Sequence, residues 1–161
     1  MPPLPQLAID YHGAGVFRKR DYEPDAPSPG EVQIAVAYTG ICGTDLTISK
    51  GAMDGRIKSP WPIGHEMSGT IAELGTGVSG WRVGDKVTVM PLDWCGSCPA
   101  CDAGDTHICH NLNFVGIDSP GSLQGRWNVK SDWLVRLPAD IDLKTAALVE
   151  PVAVAVHDNH R

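Results

Sequence analysis

Residues 31–45 read EVQIAVAYTGICGTD, and this stretch carries the pattern that decides the fold. Val32, Ile34 and Val36 recur at every second position, which is typical of a β-strand with one buried face. Three further segments carry strand patterns of this kind, at 67–74, 86–90 and 133–137. Short strands separated by glycine- and proline-containing turns predict a mainly β fold, a barrel or a sandwich, over the first ~140 residues.

Two segments predict helices instead. The first is a short helix over 43–50. The second covers 143–160, is rich in alanine and valine, and follows Asp142, which is a suitable N-cap residue. Pro151 interrupts this segment, because proline lacks a backbone N–H and clashes with the preceding turn. We therefore expect two helical pieces, with Pro151 near the start of the second.

The composition narrows the class of protein. A chain of 161 residues is long enough for one domain, spanning 1–161, that buries about 70% of its unfolded surface. Its net charge of −6 argues against a nucleic-acid partner, because binding to phosphates needs a basic surface. We see neither a secretory signal nor an apolar run near the ~18 residues that span a bilayer. We therefore expect no membrane partner and a cytoplasmic location.

The densest group of potential metal ligands is a C-x-x-C-x-x-C-x7-C run formed by Cys95, Cys98, Cys101 and Cys109. Four thiolates at this spacing suit a closed tetrahedral site, in which each sulfur lies about 2.3 Å from one Zn²⁺. Two disulfides are the competing interpretation. It is the weaker one, because the chain has five cysteines, an odd number, and shows no secretory signal. The run therefore predicts a structural Zn²⁺.

A second set of candidate ligands is spread along the chain and comprises Cys42, His65, Glu66 and Glu150. Sulfur, nitrogen and oxygen donors together suit a catalytic zinc with one open position. Glu150 lies in an apolar run, where a carboxylate is costly to bury unless it meets a cation or a hydrogen-bond donor. From the residues alone, a small core cysteine, a hydrogen-bonded histidine and a helix-face carboxylate stay open as alternatives.

Five pieces of the chain, taken in order, resemble the N-terminal GroES-like catalytic domain of the zinc-dependent medium-chain dehydrogenases. The pieces are GICGTD at 40–45, GHEMSG at 64–69, VGDKV at 83–87, the four-cysteine run, and LVEP at 148–151. The resemblance implies a GroES-like β-barrel with a zinc-binding loop and a few short helices. The Glu150-Pro151 pair is similar to the sorbitol, butanediol and threonine dehydrogenase branch, in which Glu replaces the cysteine common in liver-type alcohol dehydrogenases.

The resemblance also implies roles for single residues. Cys42 and His65 would bind the catalytic zinc, and Glu66 would be a third ligand or would exchange with water. Glu150 would be a ligand or would lie one water away from the ion. Asp45 matches the acid that accepts the other imidazole N–H of His65, and such a bond fixes the histidine tautomer.

The reaction implied by the resemblance is the reversible oxidation of a secondary alcohol, such as a polyol, to a ketone. Thr44 matches the residue whose hydroxyl takes the proton of the alcohol, so Thr44, Asp45 and Glu66 are the catalytic candidates. Zinc lowers the pKa of the substrate oxygen, and the zinc-bound alkoxide then passes a hydride to NAD or NADP. Relatives in this family are often homodimers or homotetramers.

The chain departs from the family pattern at Thr47, at 125–130 and in the expected absence of the nucleotide-binding half. Thr47 stands where many relatives carry a histidine of the proton relay, so Thr47, a water or the cofactor ribose could carry the proton onward. The segment 125–130 replaces the usual glycine-rich GFAEY strand. The G-x-G-x-x-G at 75–80 leads into a strand and not into the helix that a dinucleotide site needs. We therefore expect a chain that is truncated before the Rossmann domain and inactive by itself.

Two other classes of protein stay open. A zinc-stabilised GroES-like barrel that serves only as a binding or structural module would need the cysteine run, but it would leave Cys42, His65, Glu66 and Glu150 without a purpose. A zinc-free relative, such as a quinone reductase, would not need this mixed donor set either. About two zinc ions per chain would favour the dehydrogenase over the binding module.

Overall fold

The computed structural model describes residues 6–58 and 60–159, and strands dominate it. In chain order the strands are β1 Gln6–Tyr11, β2 Phe17–Tyr22, β3 Glu31–Thr39, β4 Trp61–Pro62, β5 Met67–Leu74, β6 Lys86–Val89, β7 Leu92–Asp93, β8 Asn113–Phe114, β9 Arg126–Lys130 and β10 Leu134–Arg136. The helices are α1 Gly43–Ser49, α2 Pro99–Asp102, α3 Leu143–Ala146 and α4 Val149–Asn159. The prediction of a mainly β fold with a few short helices is confirmed.

The strands form three sheets. A five-stranded sheet has the order β10-β6-β5-β3-β9, a three-stranded sheet the order β2-β1-β4, and β7 pairs with β8. All of these pairings are antiparallel, so the described residues contain no parallel sheet of the Rossmann type. The segment 123–125 joins the two larger sheets, because Ile9 N–H donates to Leu123 O (2.9 Å) and Val36 N–H donates to Gly125 O (3.2 Å).

The five-stranded sheet holds the main hydrophobic core. Its buried members come from five strands and one loop: Val32, Ile34, Met67, Ile71, Val87, Val89, Val115, Trp127, Val129 and Leu134. The period-two pattern of β3 reports burial correctly at Val32 and Ile34, which are fully enclosed, whereas Val36 is partly buried and Gln33, on the other face, is buried as well. In the ladder between β3 and β5, Ile34 pairs with Ile71 and Thr39 pairs with Met67. This register brings the end of β3 beside the start of β5.

The predicted segments agree with the structure where the pattern was strong. β5 matches 67–74 at both ends, and α1 ends at Ser49, one residue before the predicted end. Asp142 caps α3, since its carboxylate accepts the backbone N–H of Thr145 (Oδ2 to N, 3.0 Å). Pro151 lies in the first turn of α4, as expected. The predicted helix end at position 160 lies outside the described residues.

The alternation of apolar residues does not mark three of the longer strands. β2 reads FRKRDY and is mostly exposed, so no apolar alternation marks it; it is an edge strand that pairs only with β1 within the described sheets. β1 has only part of its length buried. β9 lies in the region that departs from the family pattern. It pairs with β3 and forms one edge of the five-stranded sheet.

The glycine-rich segment 75–80 leads through a turn into β6 and not into a helix, so it lacks the geometry of a dinucleotide site. Within the described part of the chain, we find no helix with the length and apolar character needed to cross a bilayer.

Candidate metal centres

The first centre is the cysteine loop, residues 95–109, which lies between β7 and β8. Cys98 precedes α2, where Pro99 is the first helical residue and needs no backbone N–H. The loop then turns through a short 3₁₀ segment, and Cys109 N–H donates to Thr106 O (3.1 Å). These tight turns bring the four thiol sulfurs to within 4.8 Å of one another.

The distances between the sulfurs fit a tetrahedral metal site. Cys98 Sγ lies 3.5 Å from Cys101 Sγ and 3.9 Å from Cys109 Sγ, and Cys109 Sγ lies 3.5 Å from Cys95 Sγ. Four sulfurs at about 2.3 Å from one Zn²⁺ would be about 3.8 Å apart, whereas a disulfide would bring two of them to about 2.05 Å. All five cysteines of the chain are free thiols, so the cysteine loop fits zinc and not disulfides.

Hydrogen bonds prepare these sulfurs to carry negative charge. The backbone N–H of Cys95 donates to Cys109 Sγ (3.3 Å), and that of His110 donates to Cys98 Sγ (3.5 Å). Backbone hydrogen bonding at Ser97, helped by the side chain of Asn111, lowers the pKa of Cys95 to about 5.

The other thiols of the loop do not all behave alike. The backbone N–H of His110 lowers the pKa of Cys98, whereas burial and the neighbouring thiol of Cys98 raise the pKa of Cys101 to about 11. Adjacent sulfurs therefore resist simultaneous ionisation, and a divalent cation between them would remove that conflict.

The second centre is built from the ends of β3 and β5. Cys42 follows β3, whereas His65 and Glu66 precede β5. One step beyond the Thr39–Met67 pair, the backbone N–H of Gly40 donates to Glu66 O (2.6 Å). As a result, one ligand atom each from Cys42, His65 and Glu66 lies within 4.8 Å of the other two. The sheet register thus unites residues that are more than twenty positions apart in the sequence.

Cys42 and Asp45 form a capping box at the start of α1. Cys42 Sγ accepts the backbone N–H of Thr44 (3.4 Å), and Asp45 Oδ2 accepts the backbone N–H of Cys42 (2.9 Å). The backbone of Thr44, in the first turn, is therefore held next to the Cys42 sulfur. Burial raises the pKa of Asp45, while the Cys42 N–H and the nearby His65 oppose that rise.

The predicted hydrogen bond between Asp45 and His65 is not formed in this structure. Both residues are buried, at 4% and 3% exposure, yet Asp45 Oδ1 and His65 Nδ1 have no hydrogen-bond partner. A buried polar atom without a partner costs free energy, so such atoms mark a site that is completed by something else. The thiol, imidazole and carboxylate of Cys42, His65 and Glu66 fit the donor set that zinc prefers.

Three glycines hold the backbone before His65, and two of them, Gly116 and Gly121, lie outside the sequence motifs. Gly64 has a φ of +98°, and its carbonyl accepts the N–H of Ser122 (2.9 Å). A Cβ atom at Gly116 or Gly121 would lie 2.3 or 2.2 Å from Gly64 O, so only glycine permits this packing. No sequence signal pairs these positions, because the contact arises only when the loop 115–122 folds over Gly64.

The structure brings Glu150 close to the second centre but not into its three-residue donor set. The carboxylate is half-buried at the start of α4, and burial together with the negative charge of Glu66 raises its pKa to about 7. Among the described residues, the group of possible ligands within 4.8 Å contains Cys42, His65 and Glu66 and omits Glu150. Thr47 donates its hydroxyl hydrogen to Gly43 O (3.0 Å) within α1.

The chain is similar to known dehydrogenases along nearly all of its length. The family model described as the alcohol dehydrogenase GroES-like domain matches residues 28–139. The chain is 54% identical over 155 residues to 2-dehydro-3-deoxy-L-galactonate 5-dehydrogenase of Pseudoalteromonas atlantica, covering 96% of this chain and 46% of that one. It is 37% identical over 152 residues to sorbitol dehydrogenase of Halalkalibacterium halodurans, covering 94% of this chain and 44% of the relative.

A solved structure shares the fold. An alcohol dehydrogenase of Escherichia coli CFT073, crystallised with NADH, superposes with a TM-score of 0.85 at 30% identity, covering 96% of this chain and 44% of that one. In each of these comparisons the chain spans less than half the length of the protein that it matches.

Proposed function

The chain belongs to the alcohol dehydrogenase GroES-like domain family, and from this premise we propose that it is the catalytic domain of a zinc-dependent, NAD(P)-linked alcohol or polyol dehydrogenase. The reaction is the oxidation of a secondary alcohol to a ketone. The observation that carries the proposal is the convergence of Cys42, His65 and Glu66, whose ligand atoms lie within 4.8 Å of one another. The GroES-like domain spans 1–161 in this proposal.

The two centres divide structural and catalytic work. Cys95, Cys98, Cys101 and Cys109 would hold one Zn²⁺ in a closed site that leaves no position for a substrate. Cys42, His65 and Glu66 would hold the other, with Glu150 placed to act through a water. When bound at the second centre, the ion supplies a Lewis acid that lowers the pKa of an alcohol.

Residues of α1, together with His65, handle the proton in this proposal. The backbone N–H of Thr44 donates to the Cys42 sulfur (3.4 Å), and this closeness to the second centre supports the Thr44 hydroxyl as the group that accepts the proton of the alcohol. Asp45, buried behind His65, would fix the tautomer of the imidazole once His65 Nδ1 carries a proton. The hydroxyl of Thr47 is engaged with Gly43 O in its own helix, and we assign the onward proton path to water.

The substrate class and cofactor follow from the relatives. One relative is named a sorbitol dehydrogenase and another a 2-dehydro-3-deoxy-L-galactonate 5-dehydrogenase, and these names support a polyol or sugar-acid substrate. The NADH in a structure of TM-score 0.85 supports a nicotinamide as hydride acceptor.

Assembly and location are further parts of the proposal. We propose a homodimer or homotetramer, since α4 exposes Val152, Val154 and Val156 at half or more of their surface. We propose the cytoplasm, since five free cysteines suit a reducing compartment.

Metal content tests the proposal directly. The zinc-loaded chain should hold two zinc ions. Cys42→Ser and His65→Ala should each remove the ion at the second centre and leave the ion in the cysteine loop. A chain that holds one zinc, and loses it on Cys95→Ser, would instead be a zinc-stabilised binding module.

Hydride transfer needs a second experiment. This chain can replace the matching part of the Pseudoalteromonas relative, and the chimera can be assayed with NAD and NADP against a panel of polyols and sugar acids. We expect activity that Cys42→Ser and Thr44→Val abolish, while Ser97→Ala, in the cysteine loop, leaves it intact. A well-folded chimera that holds two zinc ions and transfers no hydride from any secondary alcohol would contradict the proposed reaction.

A further inference from the structure

The carboxylate of Glu66 occupies the space where a side chain at position 40 would begin. A Cβ atom built on Gly40 would lie 2.4 Å from Glu66 Oε2, closer than real Cβ contacts come, and 3.0 Å from Glu66 Cβ. The two residues face each other because the β3–β5 ladder extends one step past its last pair, through the hydrogen bond from Gly40 N–H to Glu66 O. Residues opposite each other on an antiparallel pair are side-chain neighbours.

The backbone of Gly40 gives no other reason for glycine. Its φ lies outside the left-handed region that the positive-φ glycines of this chain occupy, so alanine could adopt its conformation without strain. Gly43, three residues further along, also has an ordinary φ, and a Cβ there would meet nothing within 4 Å. The steric demand is therefore specific to Gly40, and it comes only from Glu66.

We propose that Gly40 is a positioning residue, whose missing side chain leaves the space that seats the Glu66 carboxylate beside Cys42 and His65. This inference rests on the proposed function, because it assigns Glu66 to the second metal centre. A methyl group at position 40 would collide with the far end of a flexible side chain, which can swing aside. The fold therefore tolerates the substitution, but the carboxylate leaves the donor set.

The separation of these two effects makes the inference testable. Moving one carboxylate away should change the coordination of a metal ion at the second centre and weaken its binding by about 10- to 100-fold, as for other changes that misplace a ligand. The cysteine loop lies elsewhere and should keep its metal. The free energy of unfolding of the metal-free chain should stay close to that of the unsubstituted chain, because no backbone atom blocks the new methyl group.

The experiment uses Co²⁺ as the probe in the full 161-residue chain. Subtracting the absorption spectrum of the Cys42→Ser variant from that of the unsubstituted chain isolates the ion at the second centre. We then compare Gly40→Ala with Gly43→Ala, which adds the same methyl group to the same turn. Gly40→Ala should shift the visible bands of this ion and weaken Co²⁺ binding by about 10- to 100-fold, while Gly43→Ala should do neither.

A double-mutant cycle shows whether the effect runs through Glu66. Glu66→Ala removes the carboxylate, so adding Gly40→Ala to that variant should change Co²⁺ affinity by less than about twofold. In that double variant the Cβ atom at position 40 would still lie 3.0 Å from the Cβ atom at position 66, and a shift of a few tenths of an ångström relieves this contact. If Gly40→Ala still weakened Co²⁺ binding by about 10- to 100-fold in the Glu66→Ala background, Gly40 would act on a group other than Glu66. That result would overturn the assignment.

The outcomes also separate this inference from the proposed function. If the unsubstituted chain binds a second Co²⁺ through Cys42 and Gly40→Ala leaves its spectrum and affinity unchanged, only the role of Gly40 is overturned. If the unsubstituted chain, with its cysteine loop loaded, binds no ion through Cys42 at all, both proposals are overturned.

Discussion

The cysteine loop and the second centre reach similar donor distances by opposite routes. The four sulfurs of the first all come from one short segment, 95–109, and turns within that segment bring them together. The donors of the second come from residues on either side of a sheet ladder, Cys42 after β3 and His65 and Glu66 before β5. A local site is specified by spacing alone, whereas a distributed site exists only when strand register is correct.

The two regions also differ in what supports them. The cysteine loop has a very small core, in which Cys98, Ala100 and Cys109 are the buried members. Such a loop cannot bury enough apolar surface to hold its shape, so its order should depend on the metal. The second centre stands on the main core of the five-stranded sheet, which packs without any ion.

The largest expected effect comes from removing one sulfur of the loop. Cys98→Ser should abolish zinc binding there, and amides of 95–112 should lose protection from hydrogen exchange by roughly 4 kcal/mol, the linkage value for zinc at a thousand times its Kd. Cys42→Ser should also remove one zinc but leave exchange in the loop unchanged. Equal loss of protection in both variants would show that the two centres fold as one unit, and that order in the cysteine loop does not depend on its own metal alone.

The next effect tests the backbone packing behind His65. Gly121→Ala places a methyl group 2.2 Å from Gly64 O, a backbone atom that cannot swing away, so we expect a loss of about 2–3 kcal/mol in the free energy of unfolding. Urea denaturation measures this loss, and zinc analysis should show the second ion weakened while the loop keeps its own. Gly55→Ala is the matched control, because a Cβ there meets nothing within 4 Å.

Glu150 predicts a pH dependence for the metal-free chain. Its pKa is about 7 when folded against an ordinary 4.5, so the folded state binds more protons between these values and stability falls as pH rises through this window. After discounting for solvent screening of a half-exposed group, Glu150→Gln should raise stability by about 1 kcal/mol at about pH 8 and hardly at all below about pH 4.

The same substitution should have the opposite effect on the loaded protein. Beside a bound cation the Glu150 carboxylate is favourable, so Glu150→Gln should weaken zinc binding at the second centre and not in the cysteine loop. Urea titrations of metal-free chain and zinc titrations with a competing chelator measure the two effects. A pH-independent effect of Glu150→Gln on the metal-free chain would contradict the burial of this carboxylate.

The smallest effect concerns an ion pair behind the second centre. Arg56 donates to both oxygens of Asp118 (2.7 and 2.6 Å), and Asp118 Oδ2 accepts the backbone N–H of Phe114, whose ring packs edge-on against His65 at 5.1 Å. Both partners are partly exposed, so Arg56→Gln should cost about 0.2–1 kcal/mol.

The pH dependence of that cost has a definite sign. Arg56 lowers the pKa of Asp118 in the folded chain. The ion pair therefore stabilises the fold above the ordinary carboxyl pKa of 3.8, and this stabilisation is lost as pH falls through the lowered value. Lys130→Gln is the control, since it breaks a comparable pair with Asp93 (2.9 Å) in β7, next to the cysteine loop. We expect only Arg56→Gln to alter zinc affinity at the second centre.

The sequence predicted strands best where apolar residues alternate along the chain. Val32 and Ile34 lie in the core as expected, and β5 has the predicted bounds. β2 carries no apolar alternation because an exposed edge strand needs no apolar residues; its order comes from pairing with β1, as in the Gln6–Tyr22 pair. The hydrogen bond expected between Asp45 and His65 is not formed, because hydrogen bonding depends on side-chain placement that no spacing rule contains.

By itself, the amino-acid sequence determined the cysteine loop, the caps and proline of the last helices, and the family to which the motifs belong, because each of these depends on residues close together in the chain. Only the tertiary structure decided that Gly40 faces Glu66, that the loop 115–122 packs on Gly64, and that Glu150 approaches Glu66 without joining the three-residue donor set. The reason is that strand register and loop packing set these contacts, and both are fixed by the whole core.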